Sequence, residues 1–254
     1  VSGELGPARH PEHAVALVMA DSPDGGWLGT AVRFRSPHFF ITCAHVVADY
    51  IDQPERISFS WLGELQGPGG TTRTVVSGGV GTVNQITLHP NADLAVVRCQ
   101  VVSRDDPRRP LLHVAEQVQV GEPVKVLGFT RDMMSEGTDG VIPLALTVSD
   151  GAIKQISREA KPVGKPYLFE GAILNDTIER GMSGGAVVDA WRSRRLIGLA
   201  TGESSSDEAG KELGWILRLG PYRTWLEQQV HCSHGHDDWG KYPTGFACSH
   251  KRIT

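Results

Sequence analysis

Apolar residues in this chain come in short runs separated by Gly, Pro, Asn and Asp, the pattern of short strands joined by turns. Residues 13–19 read as a buried strand, 21–26 as a dense turn and 27–34 as the second arm of a hairpin. After Ser36-Pro37, residues 39–47 form an apolar run interrupted by one histidine, His45. Further short strands are expected at 56–61, 73–80 and 83–89, with a loop at 67–70. In His89-Pro90-Asn91-Ala92-Asp93-Leu94-Ala95-Val96-Val97 a polar turn delivers one carboxylate, Asp93, into an apolar strand. Residues 105–110 are charged and proline-interrupted, which predicts a boundary between two lobes.

The second half repeats the pattern, with strands expected at 124–129, 141–149, 152–156, 167–174, 186–188, 195–201 and 215–219, and a surface loop at 132–139. Pro221 then opens the one amphipathic helix, 221–230, with Tyr222, Trp225, Leu226 and Val230 on a face that suits docking on a sheet.

Composition narrows the class. The chain has 254 residues, 40% hydrophobic and 21% charged, so it is long enough to bury a large core, and 30 Gly with 15 Pro indicate turns between strands. A formal net charge of −4 gives no general attraction for nucleic acid, and no apolar run is long enough to cross a bilayer. No basic start followed by an apolar segment is present, so the expected location is cytoplasmic, or secreted if Val1 begins a processed mature form. Cys43 and Cys99 lie in apolar surroundings and read as small hydrophobes.

Three polar positions stand out against this background. In Gly181-Met182-Ser183-Gly184-Gly185-Ala186 a serine sits among three glycines before an apolar run. A serine hydroxyl attacks only when a base takes its proton and N–H groups stabilise the oxyanion. The N–H groups of Gly181 and Ser183 are the candidate donors, while Gly184 and Gly185 keep side chains away from an approaching carbonyl. Taken singly, the stretch also reads as a hairpin turn, His45 as a core histidine and Asp93 as a strand cap. Together they supply nucleophile, base and orienting carboxylate. About a dozen strands, a central break, and His and Asp in one half with Ser in the other suit an all-β fold. It would hold two six-stranded antiparallel β-barrels, with the site in the cleft between them and a C-terminal helix.

Over roughly residues 13–230 the sequence resembles the chymotrypsin-like (trypsin-like) serine proteases, especially the bacterial branch with the HtrA and glutamyl-endopeptidase-like enzymes. Thr42-Cys43-Ala44-His45-Val46-Val47 is similar to that family's T-A-A-H signature, Asp93-Leu94-Ala95-Val96 to its D-[IL]-A-[LV] strand, and Gly181-Met182-Ser183-Gly184-Gly185 to its G-[DN]-S-G-G. The resemblance implies a protease domain at 1–230, with barrels at about 13–110 and 111–220, a closing helix at 221–230 and a tail at 231–254. It implies serine endopeptidase activity through His45, Asp93 and Ser183, without a cofactor or metal, on a protein or peptide substrate. A catalytically silent or conditionally activated binding module on the same fold is the alternative. Further domains and an activating partner stay open.

The resemblance also assigns a substrate pocket. Its floor falls at Thr177, its backbone-pairing wall at Thr201, Gly202 and Glu203, with Gly214 opposite. Neither Thr177 nor Gly214 is charged, which favours a small or medium uncharged side chain over Arg or Lys. Arg180 and Glu203 read either as charges at the pocket mouth or as exposed rim residues. Met182 stands where the animal digestive branch has an aspartate that pairs with a newly cut N-terminus, so the oxyanion loop must be ordered in another way. Val46 stands where that branch has a cysteine, and the usual disulfide there is absent. In the tail, a Cys-Ser-His triplet recurs at Cys232 and Cys248. A disulfide between them, worth about 3 kcal/mol if unstrained, or a plain polar tail ranks above a zinc site, whose C-x-H spacing fits no common finger.

Overall fold

Six strands in the first half of the chain each find a neighbour on both sides, because the sheet they form closes on itself. The computed structural model describes residues 11–21, 26–36, 38–66, 72–76, 81–101, 112–130, 146–160, 169–175, 178–179, 181–192, 195–203 and 213–232. The expectations for Thr177, Arg180, Cys248, the segments 67–70, 105–110 and 132–139 and the tail beyond 232 lie outside these residues, as do the side chains of Glu203 and Cys232.

The first sheet comprises β1 (Val15–Ala20), β2 (Trp27–Arg33), β3 (Phe39–Thr42), β4 (Ile57–Gln66), β5 (Thr72–Val76), β6 (Gly81–Leu88) and β7 (Ala95–Val101). Its order is β1-β2-β3-β7-β6-β4, closed by pairing of β1 with β4 into a six-stranded antiparallel barrel, and β5 extends the far end of β4. The second sheet comprises β8 (His113–Val114), β9 (Pro123–Phe129), β10 (Leu146–Ala160), β11 (Phe169–Leu174), β12 (Ala186–Asp189), β13 (Arg195–Glu203) and β14 (Gly214–Arg218). Its order is β12-β9-β10-β11-β14-β13, closed by pairing of β12 with β13, and β8 adds in parallel to β13. The fold is thus two closed six-stranded antiparallel barrels, each with one accessory strand, followed by a C-terminal helix. Closure removes the unpaired strand edges that an open sheet would expose.

Alternation along the strands divides the core. On β9, Val124 and Val126 belong to the core of the second barrel, whereas Leu127 and Phe129 join the cluster shared with the first barrel. Leu17, Ile41, Phe59 and Val97 are fully buried in the first barrel, and Phe40 stacks on Phe59 with ring centroids 4.6 Å apart. Burying each such side chain contributes roughly 1.5–3 kcal/mol. The cluster continues through Leu127, Leu199 and Leu217 to Leu226 on the terminal helix, so the barrels share one apolar seam.

Two local expectations are corrected, the division of residues 141–156 into two strands and the helix start at Pro221, and one open run is divided. The apolar run at 39–47 divides into strand and helix: β3 ends at Thr42, and Ala44–Val47 forms a one-turn helix, α1. The strands expected at 141–149 and 152–156 are, among the described residues, one strand, β10, which runs through Gly151. The reason is a change of partner: residues 146–152 pair with β9 and residues 153–160 with β11, so the chain bends across the barrel instead of turning back. Asn175 marks that corner, its side chain accepting the Ala152 N–H at 2.8 Å while its own N–H donates to the Ala152 carbonyl at 3.1 Å. Pro221 lies in a 3-10 turn, Gly220–Tyr222, that leads into helix α2, Arg223–Cys232. Proline has no N–H to lose in that opening turn.

Helix α2 reaches back to the first barrel. Glu227 pairs with Arg35 at 2.9 Å, and the His89 ring meets Tyr222 and Trp225 edge-on at 5.0 and 4.9 Å. Among the described residues, no helix is long and apolar enough to cross a membrane.

Candidate active site

His45 is the second residue of α1, immediately after β3, with its side chain 24% exposed. Asp93 lies in the bend between β6 and β7 and is fully buried. That bend is shaped from within: the His89 Nδ1 accepts the N–H groups of Asn91 at 3.2 Å and Ala92 at 3.0 Å, and the His89 N–H donates to the Leu94 carbonyl at 2.8 Å. His89 must be neutral to accept at Nδ1, and burial of its ring holds its pKa below the ordinary 6.5.

The buried carboxylate is matched by two donors from one residue. Asp93 Oδ1 accepts the His45 backbone N–H at 2.9 Å, and Oδ2 accepts His45 Nδ1 at 2.7 Å. A carboxylate has only acceptors to offer, so the pairing puts the proton on Nδ1 and leaves Nε2 with a free lone pair in the neutral ring. A base oriented in this way can take a proton from a hydroxyl in front of it.

Ser183 sits on the loop between β11 and β12, where Gly181 has φ +101° and Gly184 has φ +85°, values that L side chains rarely adopt. A Cβ on Gly184 would lie 2.0 Å from the Thr30 carbonyl oxygen and 2.2 Å from Thr42 Oγ1, so this position admits only glycine. The loop is tied by Met182 N–H to Glu179 carbonyl (3.1 Å), Gly185 N–H to Met182 carbonyl (2.7 Å) and Gly184 N–H to Ala200 carbonyl (2.7 Å). Met182 is fully buried in the core of the second barrel. Gly128 makes room for it, since a Cβ there would come within 3.0 Å of the Met182 Cβ.

The segments carrying His45 and Ser183 meet through neighbouring groups. Two successive carbonyls of β13 serve them: Cys43 Sγ donates to Ala200 at 3.3 Å, and Ser183 Oγ donates to Thr201 at 3.5 Å. A Cβ added to Gly29 would lie 2.9 Å from the Ser183 carbonyl and 3.1 Å from the Val46 side chain. Among the described residues, the Ser183 hydroxyl is hydrogen-bonded to that Thr201 carbonyl and not to His45.

The predicted pocket wall lies on paired strands. Thr201 is buried, with its hydroxyl donating to the Trp215 carbonyl at 3.0 Å. Gly202, at φ +139°, is registered with Trp215, and Glu203 with Gly214, across β13 and β14. Cys43, His45 and Asp93 offer ligand atoms within 4.8 Å of one another, a set a transition metal could use, but each is engaged in the hydrogen bonds above.

Sequence reasoning did not single out Thr30 and Thr42, which brace the serine loop, or the Cys43 thiol as a hydrogen-bond donor. A hydroxyl residue inside the apolar run Trp27-Leu28-Gly29-Thr30-Ala31-Val32 was the available signal. Elsewhere, an open cleft of about 890 Å³ is lined by Glu116, Trp191, Arg195 and Arg223 among others and includes none of the three site residues. Two of its arginines are paired at home, Arg195 with Asp189 and Glu122, and Arg223 with Glu227 and Glu116.

Residues 29–199 match the family model described as the trypsin-like peptidase domain. The chain belongs to that family. No curated protein matches the peptidase chain by sequence. Among solved structures, it is similar to the HtrA-type protease AlgW with a decapeptide, at TM-score 0.55 and 19% identity over 88% of this chain and 66% of that one. It is similar to the MamO protease domain from Magnetospirillum magneticum, at TM-score 0.54 and 19% identity over 90% and 98%. It is also similar to a scabies mite inactivated protease paralogue, at TM-score 0.60 and 14% identity over 89% and 99%. At such identities these likenesses carry the peptidase fold alone.

Proposed function

We propose that this peptidase domain is a serine endopeptidase that cleaves peptide bonds through an acyl-enzyme intermediate. The observation that carries the reading is the buried Asp93 accepting both the backbone N–H and Nδ1 of His45, which presets the base. Ser183 Oγ attacks the scissile carbonyl while His45 Nε2 takes its proton, and the developing oxyanion is held by the N–H groups of Gly181 and Ser183. The imidazolium, stabilised by Asp93, returns the proton to the leaving amine. Water then repeats the sequence on the acyl group and frees Ser183. The resemblance assigns the uncharged Thr177 and Gly214 to the pocket, so the expected residue on the acyl side of the cleaved bond is small or medium and uncharged.

A second reading, a silent or conditionally activated binding module, is favoured by one observation: the Ser183 hydroxyl rests on the Thr201 carbonyl. Free active sites often hold such bonds loosely and tighten with substrate. The discriminating experiment is labelling with a fluorophosphonate, paired with cleavage profiling on a peptide library. Labelling and cleavage that vanish in Ser183→Ala support the endopeptidase; a wild-type chain that neither labels nor cleaves refutes it.

A further inference from the structure

Two carbonyl groups of the serine loop, those of Gly181 and Ser183, are held from the opposite barrel by a single residue. Thr30, on β2, is fully buried. Its hydroxyl donates to the Gly181 carbonyl at 3.1 Å and accepts the Phe129 N–H of β9 at 3.0 Å. Its backbone N–H donates to the Ser183 carbonyl at 2.9 Å, and its own carbonyl accepts the Thr42 hydroxyl at 2.7 Å. The direction of these bonds is forced. The Phe129 N–H can only donate and the Gly181 carbonyl can only accept, so the one hydroxyl proton of Thr30 goes to Gly181.

This matters because the Gly181 N–H is one of the two donors assigned to the oxyanion. Gly181, at φ +101°, has no side chain to restrict its rotation, and an amide donor beside it is useful only while its direction is fixed. Met182 fills the core behind the loop, but a thioether side chain offers no donor to tie the Gly181 carbonyl. Thr30 does, and it is tied in turn to both barrels through Phe129 and Thr42.

We propose that Thr30 is a positioning residue: its hydroxyl, by holding the Gly181 carbonyl, keeps the Gly181 and Ser183 N–H groups aimed at the oxyanion. The proposal rests on the endopeptidase reading above. It predicts a separation between hydroxyl and shape. Thr30→Val keeps the branched shape and removes the donor; Thr30→Ser keeps the donor and removes a methyl group.

The test measures the rate constant for fluorophosphonate labelling, together with kcat and KM on a peptide substrate, in the wild type and both variants, with thermal unfolding alongside. Thr30→Val is expected to lose about 30-fold or more in labelling rate and kcat, with KM within about threefold, as befits a donor used in the transition state. Thr30→Ser is expected to stay within about threefold of wild type in labelling even if its melting temperature falls, because the oxyanion donor stays aimed. Thr30→Val labelling as fast as Thr30→Ser overturns the role of Thr30 while the endopeptidase reading stands. A wild type that does not label overturns that reading, and this inference with it. Should Thr30→Val fail to fold, Thr30→Ala replaces it against Thr30→Ser, with equal rates overturning the role and a gap of about 30-fold supporting it.

Discussion

Replacing Asp93 with asparagine tests the geometry on which the functional reading depends. The side chain is fully buried, and its two oxygens face two different donors, the His45 backbone N–H at 2.9 Å and Nδ1 at 2.7 Å. An asparagine has one acceptor and one donor for these two places. The backbone N–H cannot become an acceptor, so the amide oxygen must face it, and the NH2 group must face Nδ1. Nδ1 then has to accept, which moves the ring proton to Nε2 and leaves no lone pair for the Ser183 proton. The opposite amide orientation buries two donors against each other, a cost of about 1–3 kcal/mol. The expected loss in kcat is about 10⁴-fold, which corresponds to about 5.4 kcal/mol. KM should change little, and near-UV circular dichroism and thermal unfolding should show a native fold. The assay is steady-state kinetics on a peptide found by library profiling. A loss in kcat of less than about tenfold would refute the reasoning, since a reversed tautomer cannot act as the base.

Two further outcomes follow from the supports of the site. Burial holds the His89 pKa below its ordinary 6.5, so between those values the unfolded chain binds a proton that the folded chain refuses. Stability is therefore full above about pH 6.5 and declines as pH falls toward the folded pKa; His89→Asn, which keeps an acceptor for the turn N–H groups, should show a shallower fall in melting temperature from pH 7 to 5, and equal slopes would contradict the sign. Gly184→Ala adds a Cβ that clashes with the Thr30 carbonyl oxygen at 2.0 Å, at φ +85°. Overpacking and left-handed strain together predict a loss of about 3 kcal/mol. Gly121→Ala, at the same φ but with open space around it, should lose only about 1–2 kcal/mol from strain, and urea denaturation midpoints compare the two.

The candidate residues His45, Asp93 and Ser183 were legible in the sequence because each breaks its surroundings: a histidine and a carboxylate inside apolar runs, a serine among glycines. Such placements are costly unless a partner exists, and the partner types could be read from the same line of text. The double barrel was legible for a similar reason, since short apolar runs punctuated by turn residues leave closure as the economical way to bury them. The pairing partners were not. Gly151 looks like a strand end, yet β10 continues through it, because its partners β9 and β11 lie on different parts of the barrel. Thr30 reads as one more residue of an apolar strand, yet its hydroxyl bonds Gly181 across 151 positions of sequence. Local chemistry thus announced which groups could react, because a polar group in an apolar run is visible without knowing the fold. What holds those groups in place was decided only when two barrels packed together, because a hydrogen bond depends on which residues meet in space, and that meeting has no local signature.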